Sequence, residues 1–349
     1  VKPLGAPDSL GLWEAALGLP EQVEEAVDAA VRSVPALVLP RRETVEQVVV
    51  LGMGGSGLAG DVLAAAAAPY LPVPVTVVKS YSIPAYVSQT TLVFALSFSG
   101  TTEETLEAAL EAVRVGADVV AVTTGGELAA FAKEEGLATF FVPPRLPLPR
   151  AALGAMAVPP MVALEAVGLF PGARTWLGLS IEQLRRRRDQ LLLAGNVAEE
   201  VARRIGQTIP VVESSRSVGA AAALRWKTQI NENAKRPAFW GAQPDAGHHE
   251  VVGWGHAPER TRDLLSLLHL RHDGEHPQVA RRFGLVAELV GGAFADVIEV
   301  RAEGEGDLAQ LFDLVLVGDL VSLHLAAVEG VDPGPAPVLD VLKERLRGG

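Results

Sequence analysis

Asn231-Glu232-Asn233-Ala234-Lys235 closes an otherwise apolar helical pattern, and Gly247-His248-His249-Glu250 follows shortly after it. An Asn-Glu-Asn run is a poor way to build a core, but it can hold one carboxylate where it moves a proton. A carboxylate within reach of a carbon-bound proton serves as a general base, and a histidine titrating near neutrality supplies a second acid/base. Spacing alone favours a plainer reading of Glu232 as an exposed partner of Lys235. Thr228, Glu232 and Lys235 share one helix face, and Trp226 and Ile230 share another. Neutral Asn231 and Asn233 are expected to orient Glu232 without a counter-charge that would weaken it as a base.

Two upstream segments have the composition of anion-binding loops. Gly52-Met53-Gly54-Gly55-Ser56-Gly57 follows a strand pattern and opens a helix, so its backbone can approach a ligand closely and the helix N-terminus can meet negative charge. It also fits the dinucleotide fingerprint, but the next strand ends Val78-Lys79-Ser80 where a ribose-binding acid would stand. A small phosphorylated ligand therefore ranks ahead of a dinucleotide, with a tight packing turn as the bland alternative. Ser97-Phe98-Ser99-Gly100-Thr101-Thr102 likewise follows a strand, and Glu103 and Glu104 come next. Alone it reads as an N-cap, Thr101 or Thr102 before acidic residues. Two such loops at the carboxyl ends of adjacent strands converge on one crevice, which favours ligand binding.

The elements that must hold these residues alternate. After a helical lead-in at 10–32, strands are expected at 47–51, 73–78, 91–96, 118–122 and 139–142. Helices are expected at 102–115 and 127–135 and in the Ala-rich run stopped by Pro69. Pro143-Pro144-Arg145-Leu146-Pro147-Leu148-Pro149 reads as a linker, because proline neither continues a helix nor pairs centrally in a sheet. Beyond it the pattern resumes, with helices at 151–167, 178–205, 218–234 and 278–290 and strands at 209–212, 264–270 and 297–300. Helices at 308–328 and 338–346 close the chain. Such alternation implies α/β architecture with doubly wound parallel sheets.

The 349 residues suit two domains, and 49% apolar residues can bury both. With 30 basic against 42 acidic residues, the net charge of −12 argues against a nucleic-acid surface. The run Arg185-Arg186-Arg187-Arg188 reads as a solvated face or as partners of acidic neighbours. No uninterrupted apolar run approaches the ~18 residues of a membrane span, and no export signal is visible, so a soluble cytoplasmic protein is expected. The absence of cysteine removes thiolate metal sites and thiol nucleophiles. Six of the seven histidines lie between 248 and 276, which raises a metal site. His269 and His272 lack the His-Glu-x-x-His spacing, so a zinc hydrolase is the minor reading.

In chain order, segments 52–61, 97–105, 149–154, 225–235, 248–253 and 318–333 resemble the bifunctional phosphoglucose/phosphomannose isomerase family, a branch of the sugar isomerase (SIS) fold. The Asn-Glu-Asn-Ala-Lys run is the most specific of them. The resemblance implies two SIS-type, flavodoxin-like domains, 1–152 with the helical lead-in and 153–349 with the closing helices. It implies a homodimer with its active site at domain and subunit borders. The implied reaction interconverts glucose 6-phosphate, and mannose 6-phosphate, with fructose 6-phosphate through an enediol, without metal or organic cofactor. By matching position, Gly55, Ser56, Ser97, Ser99 and Thr102 would bind the sugar phosphate and Arg150 would steady the enediolate. Glu232 would carry the proton between C2 and C1. His248, from the partner subunit, would open the ring, and Lys343 corresponds to the family's C-terminal lysine. Phe98, Thr101, His249 and Gly334 stand where the family often has Tyr, Asn, Asn and Thr, and the last bears on mannose 6-phosphate conversion. The rival class, a SIS-domain sugar-phosphate sensor, would keep the loops and dispense with Glu232 and His248. Both are present.

Overall fold

The computed structural model describes residues 2–3 and 5–347. Among them, two parallel sheets form. β1 (Gln47–Gly52), β2 (Val75–Val78), β3 (Thr91–Ser97), β4 (Asp118–Thr123) and β5 (Ala138–Phe141) lie in the order β2-β1-β3-β4-β5. β6 (Ile209–Ser215), β7 (Phe239–Gln243), β8 (Leu265–Arg271) and β9 (Asp296–Arg301) lie in the order β7-β6-β8-β9. Counted within its own sheet, the second repeats the first four positions of the flavodoxin-like order of the first. The central strands are hydrophobic on both faces, as parallel strands covered by helices must be. Val50 pairs with Phe94, and Phe94 pairs with Val120, all essentially inaccessible.

Helices α1 (Leu12–Leu17) and α2 (Leu19–Ser33) precede the first sheet, and α3 (Gly54–Ala67), α4 (Glu103–Arg114) and α5 (Gly126–Glu134) connect its strands. α6 (Leu153–Val167), α7 (Ala173–Leu191) and α8 (Val197–Ile205) lead to the second sheet. α9 (Val218–Asn233), α10 (Glu250–His256), α11 (Pro277–Val290), α12 (Asp307–Glu329) and α13 (Pro337–Arg347) complete the chain. One contiguous core joins the facing sides of both sheets through α2, α3, α6, α9 and α12. Separate clusters cover the outer faces, with α4 and α5 on the first sheet and α11 on the second.

α12 has the length and apolar character of a membrane span, yet 89% of its most apolar window is buried by protein. It is the central helix of the second half. Gly318 of α12 faces the Trp226 indole so closely that any side chain there would collide with the ring, and Trp226 Nε1–H donates to Leu314 O at 2.8 Å.

The expected single helix at 178–205 is two helices, starting earlier, at Ala173. Asn196 makes the break: its Oδ1 accepts from the amides of Ala198 and Glu199, capping α8. Its Nδ2 donates to the carbonyls of Leu191 and Leu193, closing α7. Of the arginine run, Arg188 pairs with Glu21 and Arg185 with Glu24, tying α7 to α2. Arg187 is buried and grips Asp313 of α12 with two 2.7 Å bonds, so the run's acidic-partner reading holds. β7 and α10 were not expected from the sequence.

Candidate active site

α9 carries the Asn-Glu-Asn run at its last turn. Trp226 and Ile230 are fully buried against the core, so the opposite face, with Glu232, meets solvent. The Glu232 side chain is about one-third exposed, at 30%. Lys235 follows the helix in the left-handed region at φ 58°, a position that usually takes glycine. Its ammonium donates to the Glu232 backbone carbonyl and, at 3.2 Å, to Pro333 O. The pairing expected between the Glu232 carboxylate and Lys235 does not form.

The carboxylate meets Arg150 instead. Arg150 follows the proline linker in a single 3-10 turn, Pro149–Ala151, and is 6% exposed. Its Nη1 lies 3.3 Å from Glu232 Oε2, and its Nε donates to Asn233 Oδ1 at 2.9 Å. Its Nη2 bonds both carbonyls of the closing turn, Pro333 and Gly334. The expectation of an uncharged setting for Glu232 is therefore wrong. Residues one apart on a helix project in different directions, so neither asparagine can reach the carboxylate between them. Asn233 holds Arg150, and Asn231 Nδ2 bonds Arg236 O. Burial lowers the pKa of Arg150 below its ordinary value. Burial, then the charge of Arg150, does the same to Lys235.

The glycine-rich loop at 52–57 abuts Arg150 directly. A Cβ at Gly55 would come within 2.9 Å of the Arg150 amide and the Pro149 carbonyl group, so only glycine fits there. The two loops are joined: Phe98 N–H donates to Ser56 Oγ at 3.1 Å. Ser97 is fully buried; its hydroxyl donates to Thr102 Oγ1 at 2.9 Å and accepts from Gly100 N–H. Thr102 sits at the N-cap of α4, but its side chain caps nothing, which disposes of the plain capping reading. Ser99 is exposed and accepts from the amide and hydroxyl of Thr101. Lys79, in the place of a ribose-binding acid, pairs with Asp61 beside Gly57.

His248 and Lys343 stand apart. His248 ends a short turn, Ala246–His248, and is exposed. Among the described residues no hydrogen bond links it to Glu232, Arg150 or either loop. Lys343 projects from α13, which is exposed along 338–346. The described residues contain no group of three His, Asp or Glu side chains placed to hold a metal ion. A Cβ at Gly334 would come within 2.9 Å of the exposed Leu10 side chain, which would have to shift to admit a larger residue.

The sequence and the fold have counterparts. The bacterial phospho-glucose isomerase C-terminal SIS domain matches residues 194–346, and the SIS domain matches 44–141. A bifunctional phosphoglucose/phosphomannose isomerase of Caldicellulosiruptor bescii is 32% identical over 339 residues, covering 96% of this chain and 98% of that protein. The chain belongs to the bifunctional phosphoglucose/phosphomannose isomerase family. A second member, from Aquifex aeolicus, is 35% identical over 86% of this chain and 90% of its own length. A solved structure of a hypothetical protein from Thermus thermophilus has a TM-score of 0.72 at 18% identity, covering 97% of this chain and 91% of that one, and shares the fold.

Within this phosphoglucose/phosphomannose isomerase family member, the SIS match contains Gly55, Ser56, Ser97, Ser99 and Thr102, and the C-terminal match contains Glu232, His248 and Lys343. Arg150 lies between the two matches, yet its guanidinium and backbone touch both halves of the site. Sequence reading underrated Lys235; its signal was a cation just after the run, at the position that usually caps a helix.

Proposed function

We propose that the chain is an aldose–ketose isomerase, interconverting glucose 6-phosphate, and mannose 6-phosphate, with fructose 6-phosphate through an enediol. The observation that carries this reading is a partly exposed carboxylate, Glu232, 3.3 Å from a buried guanidinium, Arg150, whose backbone packs on a glycine-rich loop. The loop set Gly55, Ser56, Ser97, Ser99 and Thr102 takes the phosphate, with Ser56 and Ser97 holding the loops' shape and Ser99 presenting a free face. Binding at the phosphate fixes the open-chain sugar over Glu232. Glu232 removes the proton from C2 and returns it to C1. Negative charge then develops on the sugar oxygens, and Arg150 stabilises it from a fixed position. His248 transfers the proton for ring opening, and Lys343 adds a second cation. The chemistry is proton transfer between adjacent carbons, which calls on no cofactor.

The assembly is a homodimer in which each His248 serves the partner's site. Its support is the exposure of His248 away from Glu232 in the protomer. The apolar Val338, Leu339, Leu342 and Leu346 along α13, together with Phe239 and Trp240 on edge strand β7, are also open. The chain divides at 152/153 into two SIS units, acts in the cytoplasm, and takes neither nucleic acid nor membrane as a partner. A coupled assay from fructose 6-phosphate to glucose 6-phosphate and to mannose 6-phosphate tests the reading. Conversion to neither product overturns it.

A further inference from the structure

Arg225 is among the largest fully buried side chains, at 1% exposure, and among the described residues its guanidinium has no hydrogen bond to Glu232 or to the loops at 52–57 and 97–102. It forks onto Asp319 of α12, Nε to Oδ1 at 2.8 Å and Nη2 to Oδ2 at 2.7 Å. The same Nη2 donates to the backbone carbonyl of Arg150 at 2.7 Å. One turn along α12, Ser322 Oγ donates to the Asp319 carbonyl at 2.6 Å and accepts from Asn233 Nδ2 at 2.9 Å. Asn233 Oδ1 in turn accepts from Arg150 Nε. The bonds close a ring: Arg150 backbone, Arg225, Asp319, Ser322, Asn233, Arg150 side chain.

We infer that Arg225 and Asp319 are positioning residues for the isomerase reaction, fixing the backbone of Arg150 so that its guanidinium stands beside Glu232. The inference rests on the isomerase reading, since it takes Arg150 as the group that meets the enediolate. Stability does not explain the pair. A buried ion pair is often replaced by apolar residues without loss, because desolvation offsets its attraction. What apolar residues cannot supply is a donor to the Arg150 carbonyl, in the 3-10 turn that leads into α6. The alignment is tight because Gly318, next to Asp319, is pressed against Trp226, next to Arg225. The two helices cannot slide without breaking that contact.

The test replaces the pair together, Arg225→Met with Asp319→Leu, which leaves no buried charge unpaired. The melting temperature should stay near that of the wild type. Turnover should fall by roughly 10²-fold, the scale that a misplacement of about 1 Å costs, with KM for fructose 6-phosphate little changed. Arabinonate 5-phosphate, whose carboxylate copies the enediolate anion, should lose affinity. Sorbitol 6-phosphate, which lacks that anion, should not. If the paired variant fails to fold, Arg225→Lys gives the same reading, since a point-like ammonium lacks the planar fork that meets both Asp319 oxygens while a third N–H holds the Arg150 carbonyl. Combining either variant with Arg150→Lys should add little, whereas a merely structural role predicts additive losses.

Wild-type turnover with unchanged aldonate affinity in the variants overturns the inference and leaves the isomerase reading intact. A wild-type protein that binds both analogues but isomerises nothing overturns that reading, while the aldonate arm still decides the role of Arg225. Failure to bind the aldonate overturns both.

Discussion

Arg150 and Glu232 are 82 positions apart in the chain, yet the Arg150 guanidinium lies 3.3 Å from the Glu232 carboxylate. The arginine is nearly buried, and three further acceptors fix it: Asn233 Oδ1 and the carbonyls of Pro333 and Gly334. With those bonds in place, the guanidinium does not need to move when charge develops on a bound sugar. A preorganised cation in a partly dry site stabilises such charge far more than one that must first reorient.

Glu232→Gln keeps the size of the side chain and a carbonyl oxygen facing Arg150, but it cannot accept a proton. Turnover should fall by at least ~10²-fold, the usual scale for losing a general base, while sugar-phosphate binding persists. Substrate deuterated at C2 should exchange label with solvent in the wild type and not in the variant. Near-normal turnover in Glu232→Gln would return Glu232 to the role of a surface carboxylate.

The two loop serines should separate. Ser99 is exposed and, among the described residues, bonded only within its own loop, so Ser99→Ala should raise KM with little change in kcat, the sign of lost uniform binding. Ser97 is buried and ties Thr102 to Gly100. Ser97→Ala should therefore also lower the melting temperature, by an amount consistent with the ~1 kcal/mol of one hydrogen bond. Kinetics and thermal melts on both variants check this, and a KM for Ser99→Ala equal to that of the wild type contradicts the phosphate assignment.

What the sequence revealed follows the range of the interactions. The strands around Val50, Phe94 and Leu268, the glycine loop and α12 were legible because continuous apolar runs and turn residues are local signals. β7 was not: it is an edge strand of five residues, with Phe239 and Trp240 exposed, shortly after Arg236-Pro237. The break at Asn196 was hidden inside a continuing amphipathic pattern, although Gly195-Asn196 carries a stop-and-cap signal. Glu232 stood out in the sequence as a candidate, but its ion-pair partner did not. Only the fold brings the residue after a proline linker to the end of α9, and no spacing rule reaches 82 positions.

Acid should weaken the fold through two histidines. Burial pushes His269 and His324 down to about 4, against 6.5 for a free side chain. Between about pH 6.5 and pH 4 the unfolded chain then binds protons that the folded chain does not, so stability falls as pH falls through that window. His324 packs edge-on against Trp13 with ring centroids 4.9 Å apart, and its Nε2 is buried without a partner among the described residues. His324→Phe keeps an aromatic ring there and removes the titration. Its melting temperature should drop less between about pH 7 and pH 5 than that of the wild type; an identical drop would assign the acid sensitivity to other groups.

The place of His248 is best tested between subunits. In the protomer it is exposed and has no hydrogen bond to Glu232 or Arg150 among the described residues, and the proposed homodimer assigns it to the partner's sugar. His248→Ala and Glu232→Gln proteins should each be nearly inactive alone. Mixed, with exchange of subunits, they should regain activity, because one site of the mixed dimer then holds an intact Glu232 and the partner's intact histidine. If histidine and glutamate served the same protomer's site, every site in the mixture would carry one lesion and mixing would restore nothing. Exhaustive chelation should leave wild-type activity unchanged, since proton transfer by His248 and Glu232 requires no Lewis acid. Activity lost to chelator and recovered with zinc would instead make the histidine a ligand.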